Sequence, residues 1–381
     1  MKLKAKITLL LISINLAGAG LFAYISYSSH RDLIAIAKEQ QMASVATFIQ
    51  NDIQEQSTKA AARASLVCNL GEVKEAFRAQ DRDLLAKRLV PAFLIQRDKY
   101  GAREGQFHLP PATSFLRLFD LKSFGEDLSG FREMVLTTNR RQEPQKGVEI
   151  GRRGLSIRGV DLAKDEQGPI GSFEIGISFA TVTADIKRNT GFESGAFVDD
   201  KLMSAIATEI PRPDSEHIIG GYQAVETTNW ELVRGMASPD LLSRANDIAY
   251  RLELHHGVEY GLVLVPLLDF KGTQIGSIVA VGSLETLQTQ LKAALVSILS
   301  NAGLLAVFLS GVSLVAVNLV LVRPILAVRE ALEHLSQGKD PAGLKALPET
   351  GDELGSIRKS IRTIREARNE QPAKSETILH A

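Results

Sequence analysis

Apolar positions along the chain gather into two long uncharged runs. Ile7–Tyr27 reads ITLLLISINLAGAGLFAYISY and Ala293–Val322 reads AALVSILSNAGLLAVFLSGVSLVAVNLVLV. At about 1.5 Å per helical residue, either run can cross a hydrocarbon core of roughly 30 Å. Lys2, Lys4 and Lys6 precede the first; Arg323 and Arg329 follow the second. Basic flanks mark the cytoplasmic side. The pattern therefore predicts a short cytoplasmic start (1–6), spans at 7–27 and 295–322, both termini inside, and residues 28–292 outside. Ala17-Gly18-Ala19 leaves open a second reading, in which the first run is a cleaved signal peptide. The middle of the chain is exported either way.

The outer region begins with a helical pattern. His30 to Leu66 contains no Gly and no Pro, and Val45, Ile49, Ile53 and Ala60 share a stripe. A helix this long needs a partner, either a returning segment or a second protomer. A further helix is predicted from Glu72 to Leu89, interrupted by Pro91. Strand patterns follow at Gln106–Leu109, Ser114–Phe119, Leu155–Val160 and Ile170–Phe179, the last two joined at Gly168-Pro169 as a hairpin. A second set comprises Gly195–Leu202 as a short strand with a turn, Tyr222–Thr227 and Trp230–Met236 as strands, and Pro239–Arg251 as a helix. A hairpin of Glu259–Leu268 and Gln274–Val281 completes it. Two α/β modules are expected, at about 67–190 and 191–284, each closing on strand, Gly-containing turn, strand. The fold class is thus an α+β membrane receptor: a long N-terminal helix, two α/β modules with antiparallel sheets outside, two membrane helices and a helical bundle inside.

Composition narrows the function. Lys plus Arg and Asp plus Glu are equal at 44 each, which argues against a dedicated nucleic-acid binder. One cysteine, Cys68, excludes an intrachain disulfide and any multi-cysteine metal or haem site, and reads as an inert buried thiol. No phosphate-binding, nucleophile-elbow or zinc-protease motif occurs, so no enzyme, metal or cofactor is expected. His255 and His256 are adjacent, which on a strand or a helix sends their rings apart.

Phe107–Asn139 (FHLPPATSFLRLFDLKSFGEDLSGFREMVLTTN) and Gly147–Gly176 (GVEIGRRGLSIRGVDLAKDEQGPIGSFEIG) resemble the signature of double-Cache sensor domains. The resemblance is more diffuse over Leu33–Leu287. Such domains lie outside the membrane in methyl-accepting chemotaxis receptors and sensor kinases. The resemblance implies two PAS-like modules on the long helix, with small-molecule sensing in the distal one (67–190).

Polar side chains on the distal strands are the candidate contacts. An inward Arg on a strand is costly unless an anion meets it, and its planar fork suits a carboxylate. Arg117 or Arg158 is expected to hold an anionic or zwitterionic ligand, with His108 supporting; Glu174 is a further candidate contact. Arg158 has an alternative role as a structural ion pair with Glu149 or Glu174. Phe107 and Phe115 either line the pocket or fill the core, and Trp230 reads as packing.

After the second span, Ile325, Val328, Leu332 and Leu335 recur at 3, 4 and 3, as do Leu354, Ile357, Ile361 and Ile364. Gly338 to Pro341 breaks the helix, and a connector carries Leu344 and Leu347. Pro324 suits a first helical turn and Asp352 a helix start. With the Asp352-Glu353-Leu354-Gly355 box, residues 323–369 resemble a HAMP domain, the coupling element of bacterial transmembrane receptors; Arg362, Arg365 and Arg368 depart from that pattern. The seams call for a parallel dimer. A polar tail (370–381) follows, so the output is expected in trans, from a chemotaxis or kinase partner, or lost by truncation. The expected setting is the bacterial inner membrane, with a small-molecule ligand outside. An alternative is a membrane-anchored interaction protein whose outer region binds a periplasmic solute-binding protein.

Overall fold

The computed structural model describes residues 3–243, 247–337, 339–340 and 351–378. It divides into two compact units, Ile34–Thr289 and Met1–Leu33 with Gln290–Ala381.

Helix α1 runs from Leu3 to Cys68. Within the outer unit its buried stripe is Met42, Val45, Ala46, Ile49, Ala60, Ala64 and Cys68. Small residues let this helix lie directly on a sheet: a Cβ at Gly159 would stand 2.1 Å from the Ala61 nitrogen. Helices α2 (Gly71–Arg78) and α3 (Arg82–Tyr100) follow. The expected break at Pro91 lies instead at residues 79–81, where Gln80 has φ 55° and the Asp81 carboxylate caps α3 by accepting the Leu84 N–H at 2.9 Å. Pro91 stays inside α3. It deprives the Lys87 carbonyl of a donor, and both residues are exposed on the outer side of the helix.

The distal sheet comprises β1 (Ala102–Leu109), β2 (Thr113–Arg117), β3 (Gln145–Gly151), β4 (Gly154–Asp165) and β5 (Gly168–Ser178), with α4 (Glu133–Arg141) between β2 and β3. All pairings are antiparallel, in the order β2-β1-β5-β4-β3. The sequence pattern had not marked β3.

Helix α5 (Ala180–Thr190) leads to the proximal module: β6 (Glu193–Asp199), α6 (Asp200–Ile206), β7 (Ile218–Ile219), β8 (Tyr222–Thr227), α7 (Trp230–Met236), α8 (Pro239–Ser243), β9 (Ala249–His255), β10 (Val258–Leu268) and β11 (Gln274–Ser283). The order is β7-β8-β6-β11-β10-β9. Setting aside the two-residue β7, both sheets order their strands as second, first, fifth, fourth, third. The modules therefore share one connectivity.

Two local expectations fail in the proximal module. Trp230–Met236 is a helix, because Asn229 accepts the Leu232 N–H at 3.2 Å and starts a turn whose buried residue is Val233. The helix from Pro239 is described as far as Ser243, residues 244–246 lying outside the described residues, and the alternating Tyr250-Arg251-Leu252-Glu253-Leu254, expected to begin in that helix, forms strand β9. In the Gly195–Leu202 stretch the strand runs to Asp199, whose carboxylate caps α6 by accepting the Leu202 N–H at 2.9 Å.

In the other unit, α9 (Glu285–Val317) passes through a π-helical stretch (Asn318–Val322) into α10 (Arg323–Ser336). Pro324, expected at a free helix start, thus follows a continuous helix. Its missing N–H and its ring disturb the bonds of the preceding turn, where the π-helical stretch lies. The first part of α1 and α9 are both long and apolar enough to span a membrane. Asn15 Nδ2 donates to Ser313 Oγ at 3.2 Å, a polar tie between the two. Helix α11 runs from Glu353 to Ile378, so residues 370–378 continue it. Its start is capped by Asp352 Oδ1, which accepts the Gly355 N–H at 3.0 Å. Ala327, Ala331 and Ile361 bury one another, whereas Ile325, Leu332, Ile357 and Ile364 remain exposed. Gly338, Pro341, Leu344 and Leu347 lie outside the described residues.

Candidate functional site

Strand alternation gives the distal sheet two faces of opposite character. Register pairs Phe107 with Phe173 and with Leu116 on one face, and Gln106 with Glu174 and with Arg117 on the other. The first face is the core. Phe107 lies 4.4 Å from Phe173 and 4.9 Å from Phe77, and Phe115 lies 5.3 Å from Phe77 (ring centroids). Phe107 and Phe115 are therefore packed under the sheet, on the side opposite Arg117.

The second face carries Glu104, Gln106, His108, Arg117, Glu149, Arg158, Ser172 and Glu174, all buried. Arg132, at the start of α4, closes over it. Its Nε donates to Glu149 at 2.9 Å, and its Nη atoms grip Glu174 on both carboxylate oxygens. The other Glu149 oxygen accepts the Met134 N–H at 2.8 Å, which fixes the helix start onto β3. Arg158 has no exposed surface and pairs with Glu104 and, at 3.1 Å, with Glu174. Of the ion-pair partners the sequence offers for Arg158, Glu174 is in contact and Glu149 stands at 3.9 Å; Glu104 is a partner the sequence reading did not offer.

Burial shapes the ionisation of this layer. Desolvation pushes the His108 imidazole down to about 3, and Glu174 only partly counteracts it. His108 is therefore neutral. Its Nδ1 faces Ser172 Oγ at 3.4 Å, and its Nε2 has no partner among the described residues. Desolvation also opposes the Glu174 charge, but Arg132 and Arg158 outweigh it and hold this carboxyl well below its ordinary range.

Arg117 occupies the open end of the layer. It is 7% exposed, its Nη2 donates to Glu126 at 2.5 Å, and its Nη1 stands 3.7 Å from Glu209. Arg152 reaches the same Glu126 at 3.1 Å and lies 4.3 Å over the Phe131 ring; Arg153 lies 4.7 Å over Phe119. These side chains wall a cleft of about 20 Å³, room for about one water molecule. Arg117, Arg132, Arg152, Arg153 and Arg158 face Glu104, Glu126, Glu149, Glu174 and Glu209, so formal charges cancel.

Sequence reasoning singled out Arg117, Arg158, Glu174 and His108, which the sheet register brings to one face, but missed Arg132, Glu104 and the Arg152–Glu126 pair. Glu104 was within reach: Glu104, Gln106 and His108 alternate with Gly105 and Phe107, and extending that alternation two residues earlier finds it. Arg132 lies beyond an irregular loop, where no period applies.

The matching face of the proximal sheet is apolar. Phe197, Leu262, Leu264, Val279 and Val281 pack there against Val233, Leu241 and Leu242. A cavity of about 330 Å³ in this module is lined chiefly by Met203, Ala207, Ile210, Pro211, Arg212 and Gln223. The Arg212 guanidinium beside it is already paired with Asp200 at 2.9 Å.

His255 and His256 do not diverge as expected. They occupy the β9–β10 turn, where the left-handed His256 (φ 50°) brings the rings to 4.2 Å.

Two sheets of one connectivity share one long helix, a duplicated module. The chain matches the family model described as "Double sensory domain of two-component sensor kinase" (dCache_3) over residues 37–285, and it belongs to that family. Among solved structures it is similar to the extracellular domain assigned to the histidine kinase vpHK1S-Z8, with 13% identity, TM-score 0.42, and coverage of 69% of this chain and 96% of that one. It is also similar to the sensory domain of the Campylobacter jejuni chemoreceptor Tlp3 with isoleucine bound, with 9% identity, TM-score 0.41, and coverage of 69% and 98%. The same domain with L-valine gives 9% identity, TM-score 0.42, and coverage of 69% and 98%. A comparison with curated protein sequences finds no match.

Proposed function

We propose that this chain is a transmembrane receptor whose distal module binds a small anionic or zwitterionic ligand and whose tail passes the signal inward as a HAMP domain. The observation that carries this reading is the contrast between the two sheets. The same face is a buried arginine–carboxylate layer in the distal module and an apolar core in the proximal one. Arg117 is the arginine of that layer whose partners, Glu126 and Glu209, are themselves 33% and 40% exposed. They can swing into solvent and yield the guanidinium to a ligand carboxylate. Because the charges of the layer already cancel, a ligand that brings both signs disturbs it least, which favours a zwitterion.

The tail supports the coupling half. Ile325, Leu332, Ile357 and Ile364 are apolar and exposed in the single chain, and a parallel dimer of this helix pair would bury them. Two packings of such a bundle give ligand binding something to bias. The receptor then acts on a chemotaxis or kinase partner in the cytoplasm of a bacterium, with both termini inside.

The test is thermal denaturation of the purified full chain against amino acids, organic acids and amines. Stabilisation by a carboxylate-bearing compound supports direct sensing. Stabilisation by none of these, with capture of a solute-binding protein instead, would favour the membrane-anchored interaction protein.

A further inference from the structure

The distal sheet ends at β3, an edge strand paired with β4. The proximal module holds this strand at two points. At the tip of the β10–β11 hairpin, the Phe270 N–H donates to the Val148 carbonyl at 3.0 Å. Just past the other end of β3, the Arg152 carbonyl accepts the Glu209 N–H at 2.9 Å, and Arg152 Nη1 donates to Thr208 Oγ1 at 3.1 Å. Between these points stands Glu149, whose carboxylate accepts from Arg132 and from the Met134 N–H. The strand that the proximal module grips is therefore the strand that holds the cover of the charged layer.

The hairpin tip is a braced turn. Asp269 Oδ1 accepts the N–H groups of Lys271 and Thr273 at 2.9 and 2.8 Å, and the Asp269 N–H donates to the Thr273 carbonyl at 2.8 Å. Phe270 projects from it as a wedge. On one side it meets bare backbone: a Cβ at Gly147 would stand 2.8 Å from Phe270 Cβ and 2.9 Å from its Cα. On the other it packs against the apolar cluster that Met134 and Val135 of α4 form with Leu128 and Val160. Lys271 Nζ reaches Glu133 of the same helix at 3.1 Å. Phe270 thus sits between β3 and the helix whose first turn carries Arg132. At the other end of the hairpin, β11 ends at Ser283 and α9, long and apolar enough to span a membrane, begins at Glu285.

We propose that Phe270 is a positioning residue for the distal cleft. By seating β3 and α4 where Glu149 grips Arg132, it couples the cover of the cleft to the hairpin that leads into α9. Such coupling is reciprocal: what loosens the cover loosens the hairpin, and the reverse. The two-state element is the start of α4, gripped by Glu149 or released from it. The use of this coupling in signalling rests on the reading that the distal cleft receives a ligand. The coupling itself does not, and it is tested without one.

The test is thiol labelling of the full chain in detergent with iodoacetamide. Gln106→Cys places a thiol in the wall of the cleft, at a buried position that Arg117 and Arg132 help to line. Native Cys68, on α1 with no exposed surface, reports general loosening in the same sample. Adding Phe270→Ala is expected to speed labelling of the introduced thiol roughly tenfold while Cys68 keeps its rate. Phe270→Leu, which restores an apolar wedge, is expected to return labelling to the parent rate. In the reverse direction, Arg132→Lys keeps the charge but loses the planar fork. It is expected to speed amide exchange over residues 268–275 and leave residues 180–190 unchanged. Labelling that Phe270→Ala leaves unchanged, or that rises in step with Cys68, would overturn the proposal, because Phe270 would then be packing alone. So would hairpin exchange that Arg132→Lys leaves at the wild-type rate. Each of these results can arise whether or not the wild-type chain binds a carboxylate, so a failure here is distinct from a failure of the ligand reading.

Discussion

Arg158 Nη1 lies 3.1 Å from Glu174 Oε1, and neither side chain has any solvent exposure. Burying two charges is tolerable only where each is paired, and here Arg132 and Glu104 complete the set. Removing one member strands the rest. Arg158→Ala is expected to destabilise the outer region by about 3–5 kcal/mol. Arg117→Ala, whose partners reach water, is expected to cost about 1 kcal/mol or less. Chemical denaturation of the two variants side by side measures the difference; equal losses would mean that Arg117 is as structural as Arg158.

His108 gives the outer region a defined acid response. Its folded value is pushed down to about 3 from an ordinary 6.5. Below pH 6.5 the unfolded chain takes up a proton that the folded chain refuses, so stability falls as pH falls. The slope from this residue is about 1.4 kcal/mol per pH unit between those two values. His108→Gln is expected to flatten denaturation midpoints across that window. An unchanged slope would show that the imidazole is not sealed from water.

Asp52 responds in the opposite sense. It lies on α1, 7% exposed, and Gln56 donates both to it (3.3 Å) and to Asp185 of α5 (3.2 Å). Burial, with Asp185 adding to it, raises the Asp52 carboxyl to about 6. A raised acid stabilises the fold while protonated, and that contribution is lost as pH rises from about 4 through 6. Asp52→Asn is expected to stabilise the protein at pH 7 by about 1–2 kcal/mol, with the gain vanishing near pH 4. Melting curves at the two pH values decide it, and a gain that persists in acid would point to packing instead.

Gly159 marks where α1 rests on β4. A methyl group there would stand 2.1 Å from the Ala61 nitrogen and 2.4 Å from the Ala60 carbonyl carbon. Backbone cannot yield as a side-chain end can. Gly159→Ala is expected to shift α1 off the sheet and cost about 2–3 kcal/mol, with loss of hydrogen-exchange protection along residues 57–64. Wild-type protection in the variant would contradict the contact.

The hairpins β4–β5 and β10–β11 were legible because their apolar runs are bounded by Gly168-Pro169 and by Asp269 to Gly272. The long helix was legible because nothing between His30 and Leu66 breaks it. Strand β9 was not, since Pro239-Asp240-Leu241-Leu242 starts a helix and its momentum hid the alternation that follows. Trp230–Met236 misled in the reverse direction: β-favouring Trp and Val sit in a helix fixed by the Asn229 cap. In the site, period two gathers Glu104, Gln106 and His108 and separates Phe107 from them. No local rule brings Arg132 across the sheet to Glu149 and Glu174, because that contact is made by the fold and not by spacing.

The central claim is that Arg117 receives the carboxylate of a small ligand in the distal module. Calorimetric titration tests it, using the full chain in detergent and compounds drawn from amino acids, organic acids and amines. At about 100 times its dissociation constant, a true ligand also adds roughly 2.7 kcal/mol of stability. The account predicts saturable binding of at least one carboxylate-bearing compound, abolished in a folded Arg117→Ala variant. Binding that survives Arg117→Ala, or no binding by the folded wild-type chain, would contradict it.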